Sequence, residues 1–123
     1  MLYPPSLPLD LLTRTFRAPN GELGLLPADV PAFLDICQSD GVGVLGWELW
    51  VIDHAFDAGA RAPRSARGFW CGLIPMRSHP LPAVVAGTGD LASTRAQIAA
   101  IELDLMIDAR WHPYVRVNIT LDD

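Results

Sequence analysis

Glu48 is the one acid in the apolar run Val-Gly-Val-Leu-Gly-Trp-Glu-Leu-Trp-Val-Ile from Val42 to Ile52, and it stands between two tryptophans. In a strand, successive side chains point to opposite faces. Leu45, Trp47, Leu49 and Val51 then make a uniformly apolar face. Gly46, Glu48 and Trp50 share the other, where a carboxylate needs water or a partner. The acid-and-indole side is therefore expected to be the side that a partner touches. Just beyond, Asp53-His54-Ala-Phe-Asp57 gathers two carboxylates and an imidazole, donor types that hold divalent metals. No C-x-x-C, H-x-x-x-H or third clustered acid accompanies them, and His79 and His112 are scattered beside prolines. The group reads as the polar start of a surface loop, with no metal and no cofactor expected.

Other patterns that suggest chemistry fail on placement. Gly41-Val-Gly43-Val-Leu-Gly46 matches G-x-G-x-x-G, but that motif binds a pyrophosphate only where a strand ends and a helix begins. Here a helix precedes the glycines and a strand contains them, so Gly41 reads as a helix cap, with Gly43 and Gly46 leaving room for bulky neighbours. There is no G-x-S-x-G, and neither Cys37 nor Cys71 has a histidine next to it in sequence. Both cysteines read as buried thiols of a reducing compartment. Glu48 and Asp53 point to opposite faces of one strand, which spoils them as a carboxylate pair. No catalytic residues are assigned, and the chain reads as a non-enzyme.

The elements that position Glu48 follow from periodicity. The proline-rich start resists regular structure, and Leu9 to Phe16 fits either a short helix or an extended arm. Asn20-Gly21 signals a tight turn leading to a short extended piece from Glu22 to Leu26. Asp29 is a candidate N-cap for a helix whose buried stripe is Val30, Phe33, Leu34 and Cys37 and whose end is Gly41. After the Val42–Ile52 strand comes a polar loop from Asp53 to Arg67, then a strand from Phe69 to Ile74. Ser78 to Asp90 reads as a second loop, with a possible extended piece from Ala83 to Ala86. A second helix is expected from Asp90 or Ser93 to about Asp108, with Ile98, Ile101 and Leu105 inward. Tyr114 to Leu121 alternates, with Val115, Val117, Ile119 and Leu121 on one face and Tyr114, Arg116, Asn118 and Thr120 on the other. These elements imply an α+β fold in two layers, two helices packed on one face of a small, mostly antiparallel sheet. The opposite face would carry Glu48, Trp50, Trp70, Tyr114 and Arg116.

The 123 residues, half of them hydrophobic, suffice for one core, so a single domain is expected: a proline-rich arm over 1–20 and an α+β core over 21–123. Fourteen acids against nine bases, all arginine, give a net charge of −5. Such a chain repels phosphate backbones and favours partners with basic surfaces, so nucleic acid is not an expected ligand. No segment approaches the roughly 18 apolar residues of a membrane span, and the start lacks the charged and apolar regions of a signal peptide. The expected location is the cytoplasm.

Aromatic residues beside an arginine are the usual energetic centre of protein interfaces, and Trp50, Trp70, Tyr114 and Arg116 would supply one, with Glu48 as its charge. Two alternatives stand beside this. The N-terminal arm could cover the face, with Glu48 pairing to Arg116 across strands, or the face could join two copies of the chain in a homodimer.

Val44-Leu45-Gly46-Trp47-Glu48-Leu49-Trp50, preceded by a helix ending at Gly41 and followed by Phe69-Trp70, resembles the immunity protein 40 family of bacterial polymorphic toxin systems. That family places a hydrophobic-Leu-Gly-Gly-acid element after its first helix, then an aromatic-rich strand, a Ser-initiated helix and a final strand. The similarity runs from about Asp29 to Leu121, with Ser93 to Ile107 and Tyr114 to Thr120 suiting its second half. Trp47 stands where the second glycine would be, and Glu48 replaces the usual Asp. The resemblance implies a cytoplasmic protein that binds and neutralises a cognate protein toxin with a basic surface. Glu48, Trp50, Asp53, Asp57 and Trp70 would then face the toxin, with Tyr114 and Arg116 on the same side. A small ligand-binding or oligomerising module is the second reading, and a small enzyme the third.

Overall fold

The computed structural model describes residues 1–52, 64–65, 68–69 and 72–122. Helix α1 (Leu9–Thr13) leads into the hairpin of β1 (Phe16–Arg17) and β2 (Leu23–Gly24), then helix α2 (Val30–Asp40) and strand β3 (Val44–Val51). The pairs β4 (Arg64–Ser65) with β5 (Gly68–Phe69) and β6 (Leu73–Ile74) with β7 (Ala83–Val84) follow. Strand β8 (Ala86–Thr88), helix α3 (Leu91–Ala99), the single turn α4 (Leu103–Met106) and strand β9 (Val115–Leu121) complete the order. The fold is α+β, built on an antiparallel sheet in the order β8-β3-β9 with helices packed on one face.

Helix α2 forms as its periodicity requires. Val30, Phe33, Leu34 and Cys37 are all buried in the main core, and Gly41 ends the helix in the left-handed conformation at φ 68°. The amide of Val42 then returns to the carbonyl of Cys37 at 2.9 Å, which turns the chain straight into β3. The start differs from expectation. A 3-10 turn, Pro27–Asp29, runs into α2, and Asp29 caps nothing. Its carboxylate instead takes both prongs of Arg14, Nε to Oδ2 at 2.8 Å and Nη2 to Oδ1 at 3.0 Å, which ties α1 to α2.

Strand β3 has one irregularity that resets its parity. The ladder to β9 pairs Val44 with Leu121 and then Gly46 with Thr120, which leaves Leu45 as the extra residue of a bulge, 51% exposed. The bulge lets Val44 join Trp47, Leu49 and Val51 on the helix-covered face, so Leu45 is not part of that face as alternation implied. The other neighbour of β3 is β8, drawn from the segment expected to be a loop, whereas β6 pairs with β7. Ala, Gly and Thr give β8 no apolar alternation to read. Gly46 and Gly87 permit the pairing: a Cβ on Gly46 would collide with the Gly87 carbonyl oxygen, and one on Gly87 with the Trp47 indole and the Gln97 amide. In that space Trp47 Nε1 donates to Gln97 Oε1 at 2.8 Å, and Gln97 Nε2 donates to the Thr88 carbonyl at 3.1 Å, which ties α3 to the sheet.

The long second helix is two pieces. Asp90 caps α3 by accepting from the Ser93 amide at 2.9 Å, but α3 stops at Ala99 and a fresh turn begins at Leu103. The break lets Ile101, Leu103 and Met106 pack on the core, and it leaves Leu105 67% exposed, not inward. Among the described residues no helix is long and apolar enough to cross a membrane.

Hydrogen bonds from Ser93, its amide first and its hydroxyl next, hold the Asp90 carboxyl below the usual carboxylate range, with a smaller contribution from the Ala92 amide. Because its folded pKa is depressed, its contribution is complete above the unfolded carboxyl's titration near about pH 4 and is lost as the pH falls through the folded value. Asp90→Ala should therefore lower Tm by a constant amount from pH 5 to 8. Thermal melts followed by circular dichroism should show that difference closing below about pH 4.

Candidate functional site

Cross-strand partners share a face, so the ladders place Trp50 with Arg116, Glu48 with Asn118 and Ala86, and Gly46 with Thr120 and Thr88 on the side away from the helices. The N-terminal hairpin reaches this side by a simple route. Leu25 exchanges two backbone hydrogen bonds with Val117, each 2.8 Å, so the chain after β2 lies along the free edge of β9. The Asn20-Gly21 turn, with Gly21 at φ 90°, then folds β1 back on β2. Ala18 accepts from the Gly21 amide and donates to the Glu22 carbonyl, both at 2.9 Å, which closes the turn.

This hairpin covers one end of the face. Trp50 is 0% exposed, in a small cluster of its own with Phe16 and Ala18, and the Phe16 ring meets its indole edge-on with centroids 6.2 Å apart. Gly24 packs against the indole, and a Cβ there would come within 2.9 Å of Trp50 Cε3. Asn118 is buried beneath, its Nδ2 donating to the Leu23 carbonyl at 2.9 Å. The expectation that Trp50 offers its ring to a partner is thus corrected: so large an apolar ring is covered by the chain's own arm, the first of the two alternatives above.

The second half of that alternative, a Glu48–Arg116 pair, does not form. Arg116 is half-buried and its Nη1 donates to the carbonyls of Pro113 at 2.8 Å and Val115 at 2.9 Å. Its Nε is buried without a hydrogen-bond partner, and desolvation lowers the guanidinium's pKa from its ordinary value. Tyr114 belongs to the 3-10 turn Ala109–Tyr114, not to β9, and stands 39% exposed at the end of the sheet. Pro113 sets that turn and breaks the alternation before it can reach Tyr114. Asp53, Asp57 and Trp70 lie outside the described residues, as do His54 and Cys71.

Glu48 marks where the cover ends. Its Oε1 accepts from Trp50 Nε1 at 2.7 Å, a short charge-assisted bond from a fully buried indole. Its other oxygen, Oε2, faces Gly72, where a Cβ would stand 3.7 Å away. Beyond Glu48 the face is a shallow hollow of about 240 Å³ lined by Leu45, Gly46, Glu48, Ala86, Thr88 and Thr120. Small residues floor it, Glu48 supplies its charge, and the bulged Leu45 gives it an apolar rim. Of the expected site residues, Glu48, Trp50 and Arg116 come together on one face. Gly24, Asn118 and the Gly46–Thr88–Thr120 floor were not anticipated, although the Asn20-Gly21 turn ahead of Leu23-Gly24-Leu25 held the signal for a hairpin able to lie on a sheet.

No known protein family, curated protein or solved structure matches the chain. Among the described residues no group of three His, Cys, Asp or Glu converges as a metal site. Cys37 is fully buried, and desolvation pushes its thiol up to about 11, so it stays protonated at neutral pH.

Asn118→Ala leaves the Leu23 carbonyl buried without its donor and should cost about 2 kcal/mol. Urea denaturation measures that loss. Hydrogen exchange should show faster opening over residues 16–25, with α2 unchanged if the hairpin is a separate cover.

Proposed function

We propose that this chain is an immunity-type inhibitor that works in the cytoplasm, where it binds a cognate protein toxin through the Glu48 end of the sheet face and neutralises it. One observation carries the reading: a carboxylate fixed at 2.7 Å by a fully buried indole, at the edge of a hollow floored by glycine, alanine and threonine. An acceptor already held in place loses little freedom on binding, and the hollow gives an arginine or lysine of the partner room to reach it. The net charge of −5 supports the same partner chemistry, since an acidic inhibitor is drawn to a basic toxin and associates with it quickly. The resemblance of the Val44–Trp50 segment to an immunity family points the same way, and the sequence adds Asp53 and Asp57 directly after the strand that bears Glu48. Trp50 then acts through Glu48, as the group that positions it.

The decisive comparison uses a toxin domain encoded beside this chain's gene. Glu48→Gln keeps an oxygen to accept from Trp50 while removing the charge, and should weaken toxin binding at least about tenfold, chiefly through slower association. Glu48→Lys should abolish protection of cells expressing the toxin while the melting curve stays that of a folded protein. Full protection by Glu48→Lys refutes the assignment of this face.

A further inference from the structure

On the helix side of the sheet a second space is built from different chemistry. Leu49 and Val117 form its floor, Val30 and Leu34 of α2 one wall, and Ile98 and Ile101 the other. Its volume is about 240 Å³. Ala99, where α3 ends, lines the wall with no more than a methyl. Floor and inner wall are fully buried side chains, so the space reaches the core itself.

Among the described residues one charged side chain lines this cavity. Arg95 stands in its lining, and a single one of its nitrogens, Nη2, is engaged, by Asp35 Oδ1 at 2.8 Å. Asp35 is largely exposed, and such surface pairs are weak and readily exchanged. A guanidinium has five N–H donors in a fork that matches a carboxylate, so a second carboxylate can be held beside Asp35 or in its place.

We infer that this cavity binds a short aliphatic monocarboxylate, its tail on Leu49 and Val117 and its head on Arg95. Size and charge each narrow the choice. Dry apolar cavities of about 150 Å³ accept benzene, so this one suits a tail of about six to eight carbon atoms. An arginine with an acid beside it suits one negative charge and opposes a second, which disfavours phosphate esters. The site lies across the sheet from Glu48 and does not depend on the role proposed for that face.

Sodium octanoate, octan-1-ol and sodium acetate separate the contributions in a methyl NMR titration of the full chain. Octanoate should shift the methyls of Leu34, Leu49, Ile98 and Val117 saturably. Acetate should leave them unmoved, and octanol should bind about tenfold more weakly, the worth of one charge-assisted hydrogen bond. Arg95→Gln should erase the preference for octanoate over octanol, and Ala99→Leu should block both by filling the space. Equal affinity for octanol and octanoate in the unmodified chain overturns the carboxylate assignment. Undiminished octanoate binding by Ala99→Leu, or no saturable shift, overturns the site. Shifts of the same methyls with protein concentration alone would assign the cavity to a second copy of the chain and overturn the ligand as well.

Discussion

Two indoles three residues apart on one strand dictate most of this architecture. Trp47 and Trp50 fall on opposite faces of β3, and the free energy of burying one such ring is about 5 kcal/mol from area alone, an upper figure. A sheet with one wet face would satisfy only one of them. The helices cover Trp47, and Gln97 satisfies its N–H. Trp50 needs a second cover, and the N-terminal hairpin supplies it with Phe16, Ala18 and the bare backbone of Gly24. The arm is thus a partial third layer, and the part of the face left uncovered is the part where Gly46, Thr88 and Thr120 present too little apolar surface to require it.

The same burial sets the electrostatics. An indole N–H enclosed on an apolar face needs an acceptor, and Glu48, two residues earlier on the same side, is within reach. The carboxylate in turn is half-buried and hydrogen-bonded, not enclosed. Arg116, directly across from Trp50 in the ladder, is diverted to two carbonyls at the 3-10 turn, so it does not neutralise Glu48. The pairing that the sequence suggests between the two charges fails because register places Arg116 opposite the indole and Asn118 opposite the acid.

Elements with a strong period were legible from residue types. The stripe of α2, its glycine end and the inward face of β9, Val115, Val117, Ile119 and Leu121, stand as read, because each is decided by local periodicity and a large apolar area. What could not be read was decided by contacts between distant segments. The bulge at Leu45 depends on where Leu121 pairs, and β8 is a strand only because Gly46 and Gly87 let two backbones close on each other. The break after Ala99 has neither glycine nor proline to announce it and follows from where Ile101 and Leu103 find the core. For the candidate site, the acid was legible as the odd residue in an apolar strand. Which half of its face stays open was not, since that turns on the N-terminal hairpin, far away in sequence.

The strand that carries Glu48 outward carries Leu49 inward, so the two candidate sites are separated by one peptide unit and the thickness of a sheet. Proximity does not make them coupled. β3 pairs with β9 at seven positions and with β8 at three, which holds it on both edges against any sliding of its own. Glu48 is fixed further by Trp50, which among the described residues clusters with Phe16 and Ala18 of the N-terminal hairpin. A ligand on Leu49 therefore touches nothing that differs between two positions of the carboxylate, and without a differential contact it has no free energy with which to shift one. The geometry makes the two faces independent users of one rigid strand.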